Sequence, residues 1–252
     1  MDFIEEIEAF LANHSLNPDD FVPVPVGALS PEEAALESER LSPGAGRSFF
    51  IVEDRWRSQG ESLRLRMLAH AGRFRHVFAR NCEARRIDKP SAAAFLKLAH
   101  SYGDASCRFR YGLFVRRLTG GNDDCGLEPG TLVAVGEFSS ARTMKDGTKS
   151  YEWVRYASLP DVRVVGGMGK VLDAFVGEVH PDDVMSYADL EWSDGSAYRS
   201  LGFEPEGVKE PVTFAVDPSD WSRTALKPGF EPSSNCLYYR NFGSLKYRKK
   251  YY

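Results

Sequence analysis

The stretch RVVGGMGKVLDAFV, Arg163–Val176, decides the fold. A glycine-rich turn opens directly onto a segment whose apolar residues, Val171, Leu172, Phe175, Val176 and Val179, recur at helical spacing, so a helix is predicted over 169–179. Glycine lets a backbone approach a ligand closely because no Cβ intervenes. The amides of a first helical turn have no intrahelical partners, and the helix dipole adds positive potential there. Val164, Val165, Gly166, Gly167, Met168, Gly169 and Lys170 are therefore candidates for a phosphate site. The same turn would equally serve packing alone. It is neither G-x-G-x-x-G nor G-x-x-x-x-G-K followed by Ser or Thr, which excludes a dinucleotide fold and a Walker-type site.

Working outward, Val184–Ala188 reads as a buried strand and Ser193–Leu201 as a short helix, with Ser193 as N-cap and Gly202 as the stop. Upstream, Tyr151–Leu159, Thr131–Phe138 and Arg110–Arg116 read as strands. They are separated by the polar turn Ala141–Thr148, tightest at Asp146-Gly147, and by the hairpin loop Thr119–Gly130. Cys82–Ile87 is a further strand and Lys89–His100 a helix with apolar Ala93, Ala94, Leu96, Leu98 and Ala99. Ser62–Phe78 reads as a helix with Leu65, Leu68, Ala69 and Gly72 on one face. Phe3–Leu11 is a short amphipathic helix, and a second, Pro31–Leu41, carries a capping box of Ser30 and Glu33. Val212–Val216 and Leu237–Tyr239 add strands. Strands in series, then strand–helix–strand–helix–strand, make an α+β chain. The expected divisions are an acidic, proline-rich arm (1–46), a basic helical segment (47–80) and a main domain (81–252) with a basic C-terminal tail.

This order resembles the GCN5-related N-acetyltransferases (GNAT superfamily), in which a strand is followed by Q/R-x-x-G-x-G/A and a helix. Here Val164 stands at the first position and Gly167 and Gly169 at the two small ones. Tyr198-Arg199-Ser200-Leu201-Gly202-Phe203 is similar to the family's next landmark, Y-x-x-x-G-F. The similarity covers about Cys82–Val216. A longer run resembles phage and mobile-element proteins of acyltransferase-like fold found beside homing endonucleases. It takes in VFARNCEARRI (Val77–Ile87), YEWVRY (Tyr151–Tyr156), VVGG (Val164–Gly167) and SYADLEWSDGSAYRSLGF (Ser186–Phe203).

The resemblance implies a mixed central sheet flanked by helices, behind an N-terminal helical and loop extension. It also implies acetyl-CoA or another acyl-CoA as cofactor, its pyrophosphate on Val164–Lys170, with Ser193 in the same set. A backbone amide near Tyr156–Ser158 would hold the developing oxyanion, and Tyr198 would protonate the leaving thiolate. Tyr198 is otherwise a core tyrosine. Glu152 and Glu137 are the nearest candidate bases, or else solvated strand-face charges. Alternation puts Glu152, Val154 and Tyr156 on one face of their strand and Trp153 and Arg155 on the other. Arg155, Asp189 and Trp192 are candidates for acceptor binding. Asp189 and Trp192 follow a buried strand, where open sheets bind ligands. Asp189 would otherwise cap the coming turn, and Trp192 would be a core aromatic. His100 reads as a helix C-terminal residue or a base.

Charge is segregated. Met1–Arg40 is acidic, Arg55–Arg86 holds nine arginines against Glu61 and Glu83, and Arg240–Tyr252 is basic. Arg55–Arg86 and Lys246–Lys250 are thus candidate nucleic-acid contacts, unless the acidic arm folds over the basic face. The acceptor would be a small molecule, a peptide or a nucleic acid. Cys82, Cys107, Cys125 and Cys236 lack C-x-x-C spacing, and the five histidines form no H-x-x-x-H pair, so free thiols and no metal site are expected. No apolar run approaches the ~20 residues of a membrane span. The acidic start does not read as a secretory signal, and a cytoplasmic protein is expected.

Overall fold

A computed structural model describes residues 2–41, 49–116 and 126–251. Residues 119–125 of the expected hairpin loop, residues 42–46 of the arm, Cys125 and Tyr252 lie outside the described residues. In chain order the elements are α1 (Phe3–Asn13), β1 (Phe21–Val24), α2 (Pro31–Leu41), β2 (Phe49–Val52), α3 (Glu53–His70), β3 (Arg75–Phe78), β4 (Cys82–Arg86), α4 (Lys89–Ala99), β5 (Phe109–Val115), β6 (Leu132–Phe138) and β7 (Arg142–Thr143). There follow β8 (Lys149–Ser158), β9 (Val162–Val165), α5 (Gly167–Val179), β10 (Asp183–Asp189), α6 (Ser196–Ser200), β11 (Glu204–Lys209), β12 (Thr213–Val216), β13 (Arg223–Ala225), β14 (Leu237–Arg240) and β15 (Ser244–Lys250). The chain forms two compact units. One holds Met1–Leu63, Tyr187–Arg199 and Pro205–Tyr247, and the other Arg64–Ser186, Ser200–Glu204 and Arg248–Tyr252.

In the second unit β10, β8, β6, β5 and β4 lie side by side in that order. The β10–β8 pair is parallel and the others are antiparallel, giving the mixed sheet expected. Helices cover both faces. On one, Ala92, Phe95 and Leu96 of α4 pack with Val135 and Ala157. On the other, the Phe175 ring of α5 stacks on Phe138 at 4.0 Å and 3°, and Tyr111 and Tyr151 meet it edge-on. Gly136 faces Val171, whose Cγ1 would lie 2.5 Å from a Cβ there, so only glycine lets α5 come this close. Strand β9 leaves β8 and pairs in parallel with β3, from Arg75↔Val162 to Phe78↔Val165. The fold is thus α+β, with a mixed sheet between helices.

The first unit has its own core. Val24, Val26, Phe50, Val52, Phe214, Val216, Tyr239 and Phe242 gather from β1, β2, β12, β14 and their flanks. β12 is central between β13 and β14. Asp54 and Arg223 form a bidentate pair inside it, beside Glu191, which accepts the Tyr239 hydroxyl at 2.7 Å. Helix α1 starts with a capping box of Asp2 and Glu5.

Several local expectations are corrected. The helix expected over Ser62–Phe78 is Glu53–His70, and Arg75–Phe78 is a strand. Its buried apolar residues are Trp56, Leu63 and Met67 instead of Leu65, Leu68, Ala69 and Gly72. In α4 the buried set is Ala92, Phe95 and Leu96, while Ala94 and Leu98 are exposed. Ser30 caps α2 through the Glu33 amide, but the Glu33 carboxylate accepts from Leu29 and not from Ser30. The basic stretch after Arg240 contains strand β15. Lys246 pairs with Glu206 at 2.6 Å, and Arg248 pairs with Asp183. Of the Arg55–Arg86 segment, Arg55 is buried, Arg57 pairs with Glu6 of the acidic arm, Arg75 with Asp161, Arg85 with Glu83 and Arg86 with Glu178.

Candidate functional site

The glycine turn joins β9 to α5. Gly166 is the N-cap at φ 77°, a left-handed conformation that side chains disfavour. Gly167 begins the helix. A Cβ there would lie 2.9 Å from Val164 Cβ and would run into the Tyr156 hydroxyl. Backbone conformation therefore accounts for Gly166 and packing for Gly167. Neither accounts for Gly169, where a Cβ would meet only Leu201 Cδ2 at 3.4 Å. The first turn of α5 carries no acidic residue. The turn itself contributes the Gly167, Met168 and Gly169 amides and only the methionine side chain, with Tyr156 and Val164 packed against Gly167 and Leu201 beside Gly169. This fits a bound phosphate, which needs donors, positive potential and room. Lys170 does not point its charge at the turn. Its ammonium donates to the carbonyls of Ala79 at 2.8 Å and Cys82 at 2.5 Å. Val164 is buried and Val165 exposed, as alternation on β9 dictates.

Tyr156 ties this turn to β8. The ladder between β8 and β10 runs from Ser150↔Asp183 to Glu152↔Met185 and goes no further. Beyond it, among the described residues, Trp153–Ser158 pairs with β6 alone. The Leu159 amide donates to Val133 on β6. By alternation Ala157 and Arg155 bond to the same side, and the amides of Tyr156 and Ser158 point to the open edge. A bulge changes which side chains share a face. Glu137 pairs Arg155 and Phe138 pairs Trp153, so Val154 is an extra residue. Tyr156 thus shares the α5 face with Trp153, their rings 5.8 Å apart, and Arg155 joins the face of Glu137. The strict alternation expected from the sequence is corrected here.

Glu152 is half-buried on β8, and its amide donates to Ser139 Oγ at 2.9 Å. Arg155 donates to the carbonyls of Gly103 at 3.1 Å and Val154 at 2.9 Å, with Tyr102 beneath its guanidinium. Glu137 is fully buried. It accepts from Arg110 Nε at 3.0 Å and the Ala105 amide at 3.3 Å. Burial, with the Asp104 carboxyl beside it, pushes its carboxyl up to about 7. Burial, and then Glu137, push the Cys107 thiol up to about 12. Burial raises the Tyr156 phenol well above its ordinary value.

Tyr198 belongs to the first unit, as do Asp189, Trp192 and Ser193. Its ring stacks on Tyr247 at 5.5 Å and 20°, and its hydroxyl donates to the Tyr187 carbonyl at 3.5 Å, the long limit of a hydrogen bond. Asp189 accepts the Glu191 amide at 3.0 Å, and its carbonyl accepts those of Trp192 and Ser193, the turn-capping alternative. Trp192 packs on Phe49 at 5.4 Å, the aromatic-packing alternative. Ser193 accepts the Gly195 amide at 3.1 Å, while Asp194 caps Ser196, so Ser193 lies ahead of α6 and is not its N-cap. Gly202, at φ 78°, does end that turn. His100 closes α4 with its amide on the Leu96 carbonyl, and its Nδ1 accepts from Tyr102.

Among the described residues no group of three or more His, Cys, Asp or Glu is placed to hold a metal ion, and no helix is long and apolar enough to cross a membrane. Sequence reasoning missed the Tyr156 side chain and the hold of Lys170 on Ala79 and Cys82. Only the Lys after the third glycine hinted at the latter.

No protein-family description matches the sequence, and no curated protein matches it. Solved structures do. The ribosomal-protein-S18-alanine N-acetyltransferase of Escherichia coli is similar at 12% identity and TM-score 0.39, over 67% of this chain and 93% of that one. A protein of Corynebacterium glutamicum described as histone acetyltransferase HPA2 and related acetyltransferase is similar at 12% identity and TM-score 0.40, over 68% and 96%. Nourseothricin acetyltransferase is similar at 14% identity and TM-score 0.38, over 68% and 98%. At such values the strands and helices themselves carry the description of the fold.

Proposed function

We propose that the chain is an acyl-coenzyme A-dependent N-acyltransferase. The observation that carries this is the contact between the Tyr156 hydroxyl and Gly167. It sets the bare first turn of α5 beside the open edge of β8. A pyrophosphate on the amides of Gly167–Gly169 starts a thioester arm that can follow that edge. The coenzyme supplies an activated acyl group. The amide of Tyr156 or Ser158 holds the negative charge that develops on the carbonyl oxygen. Glu152, without a salt bridge among the described residues, takes the proton of the attacking amine. Tyr198 donates the proton to the departing sulfur. What supports the role is its place in the Y-x-x-x-G-F motif, Tyr198–Phe203. The acceptor is an amine on a small molecule, a peptide or a nucleic acid.

The test is thiol release from acetyl-coenzyme A with amines, polyamines, peptides and oligonucleotides. Tyr198→Phe keeps the stacked ring and deletes the donor. Turnover should fall roughly 10²–10⁴-fold with little change in melting temperature. Equal turnover in the variant would remove Tyr198 from the role.

A further inference from the structure

The two-stranded ladder before the glycine turn has a second face. Paired residues of parallel strands point the same way, so Val77, Val162 and Val164 turn inward, all buried. His76 and Phe78 on β3, with Arg163 and Val165 on β9, turn outward. His76, Arg163 and Val165 are exposed there, as is the adjoining Arg80. The row is built of stacked pairs. The Arg163 guanidinium lies 5.4 Å from the Phe74 ring centroid, and Arg80 lies 4.6 Å from that of Phe78. His76 meets Phe74 edge-on at 4.8 Å. Among the described residues neither Arg80 nor Arg163 has a carboxylate partner, whereas nearby Arg75 is taken by Asp161. The row ends at the turn: a Cβ on Gly166 would lie 3.6 Å from Ala79 Cβ, between Phe78 and Arg80.

A guanidinium flat on an aromatic ring keeps its outer face for stacking and its N–H edges for a phosphate. Two such pairs and an imidazole match a flat base carrying a phosphate monoester. We propose that the outer face of β3 and β9 binds the nucleotide end of the coenzyme. The purine stacks on Arg163 or Arg80, and the ribose 3′-phosphate takes their N–H groups. This rests on the reading of Gly166–Gly169 as the pyrophosphate site, which a nucleotide bound here would adjoin.

The experiment compares coenzyme A, dephospho-coenzyme A and pantetheine on the full chain and on the doubly substituted Arg80→Ala, Arg163→Ala. Both residues are exposed, so the variant should keep its fold. Wild type should bind coenzyme A about tenfold more tightly than dephospho-coenzyme A, the low end for charge-assisted bonds. The double variant should lose that preference and treat pantetheine as wild type does. If wild type binds coenzyme A and the variant keeps the same preference, this assignment is wrong while the acyltransferase reading stands. If wild type binds none of the three at millimolar concentration, both fall. If the double substitution weakens only the binding of a single-stranded oligonucleotide, the face serves polynucleotides, and the assignment is again overturned.

Discussion

Replacing Gly167 with alanine tests the geometry of the turn with one methyl group. The new Cβ would stand 2.9 Å from both Cβ and Cγ1 of Val164, and closer still to the Tyr156 hydroxyl. Carbon–carbon contacts settle near 3.5–4.0 Å, so two contacts are compressed by roughly 0.6 Å or more. Val164 cannot retreat easily, because it is 7% exposed and its strand is paired with β3. Overpacking of this kind costs about 1–3 kcal/mol, less any gain from alanine's better helix propensity. For a chain of this size each kcal/mol lowers the melting temperature by about 2–4 °C. Gly169→Ala is the internal control, since its Cβ would meet Leu201 at an ordinary 3.4 Å. It should be neutral or stabilising by up to about 1 kcal/mol. Adding Tyr156→Phe to Gly167→Ala should recover part of the loss, leaving the Val164 clash. Thermal melts of the four proteins decide the matter. Equal melting of Gly167→Ala and wild type would refute the claim that β8 and the turn are in contact.

Glu137 makes stability depend on pH in a definite direction. Its folded carboxyl titrates near 7, above its ordinary value, so its contribution is fully present below about pH 4.5 and is lost as pH rises through 7. Urea melts of Glu137→Gln should show the variant gaining on wild type between pH 5 and 8, and a constant difference would contradict this. Asp54→Asn should destabilise the first unit by about 3 kcal/mol or more, because Arg223 loses its bidentate carboxylate inside a core. A denaturant midpoint equal to that of wild type would show that Glu191 and Tyr239 already suffice.

The run from Arg163 to Phe203 is the legible part. Along it the apolar period switches between strand and helix from one element to the next, and Gly166 and Gly202 punctuate them at positive φ. What escaped depends on partners far along the chain. Arg75–Phe78 is only four residues long, and its strand partner is Val162–Val165, far along the chain. Lys246 and Arg248 look like a solvated basic tail until Glu206 and Asp183 neutralise them. The bulge at Val154 has no glycine or proline to announce it, yet it moves Tyr156 to the face of the turn. Of the candidate site, the glycine turn and the strand beside it are legible as secondary structure. The local partners of Arg155, Asp189 and Trp192, which are carbonyls, turn amides and Phe49, are not, because they come from neighbours that spacing does not specify.

The central claim is that the bare first turn of α5 holds the pyrophosphate of a coenzyme A thioester. Calorimetric titration of acetyl-coenzyme A into the full chain, beside a Gly169→Asp variant, tests it most directly. That position tolerates a Cβ, so the added carboxylate repels phosphate while the fold stands. Saturable binding by wild type, abolished in the variant at unchanged melting temperature, is the predicted result. No heat and no thermal shift with wild type at millimolar ligand would contradict the account.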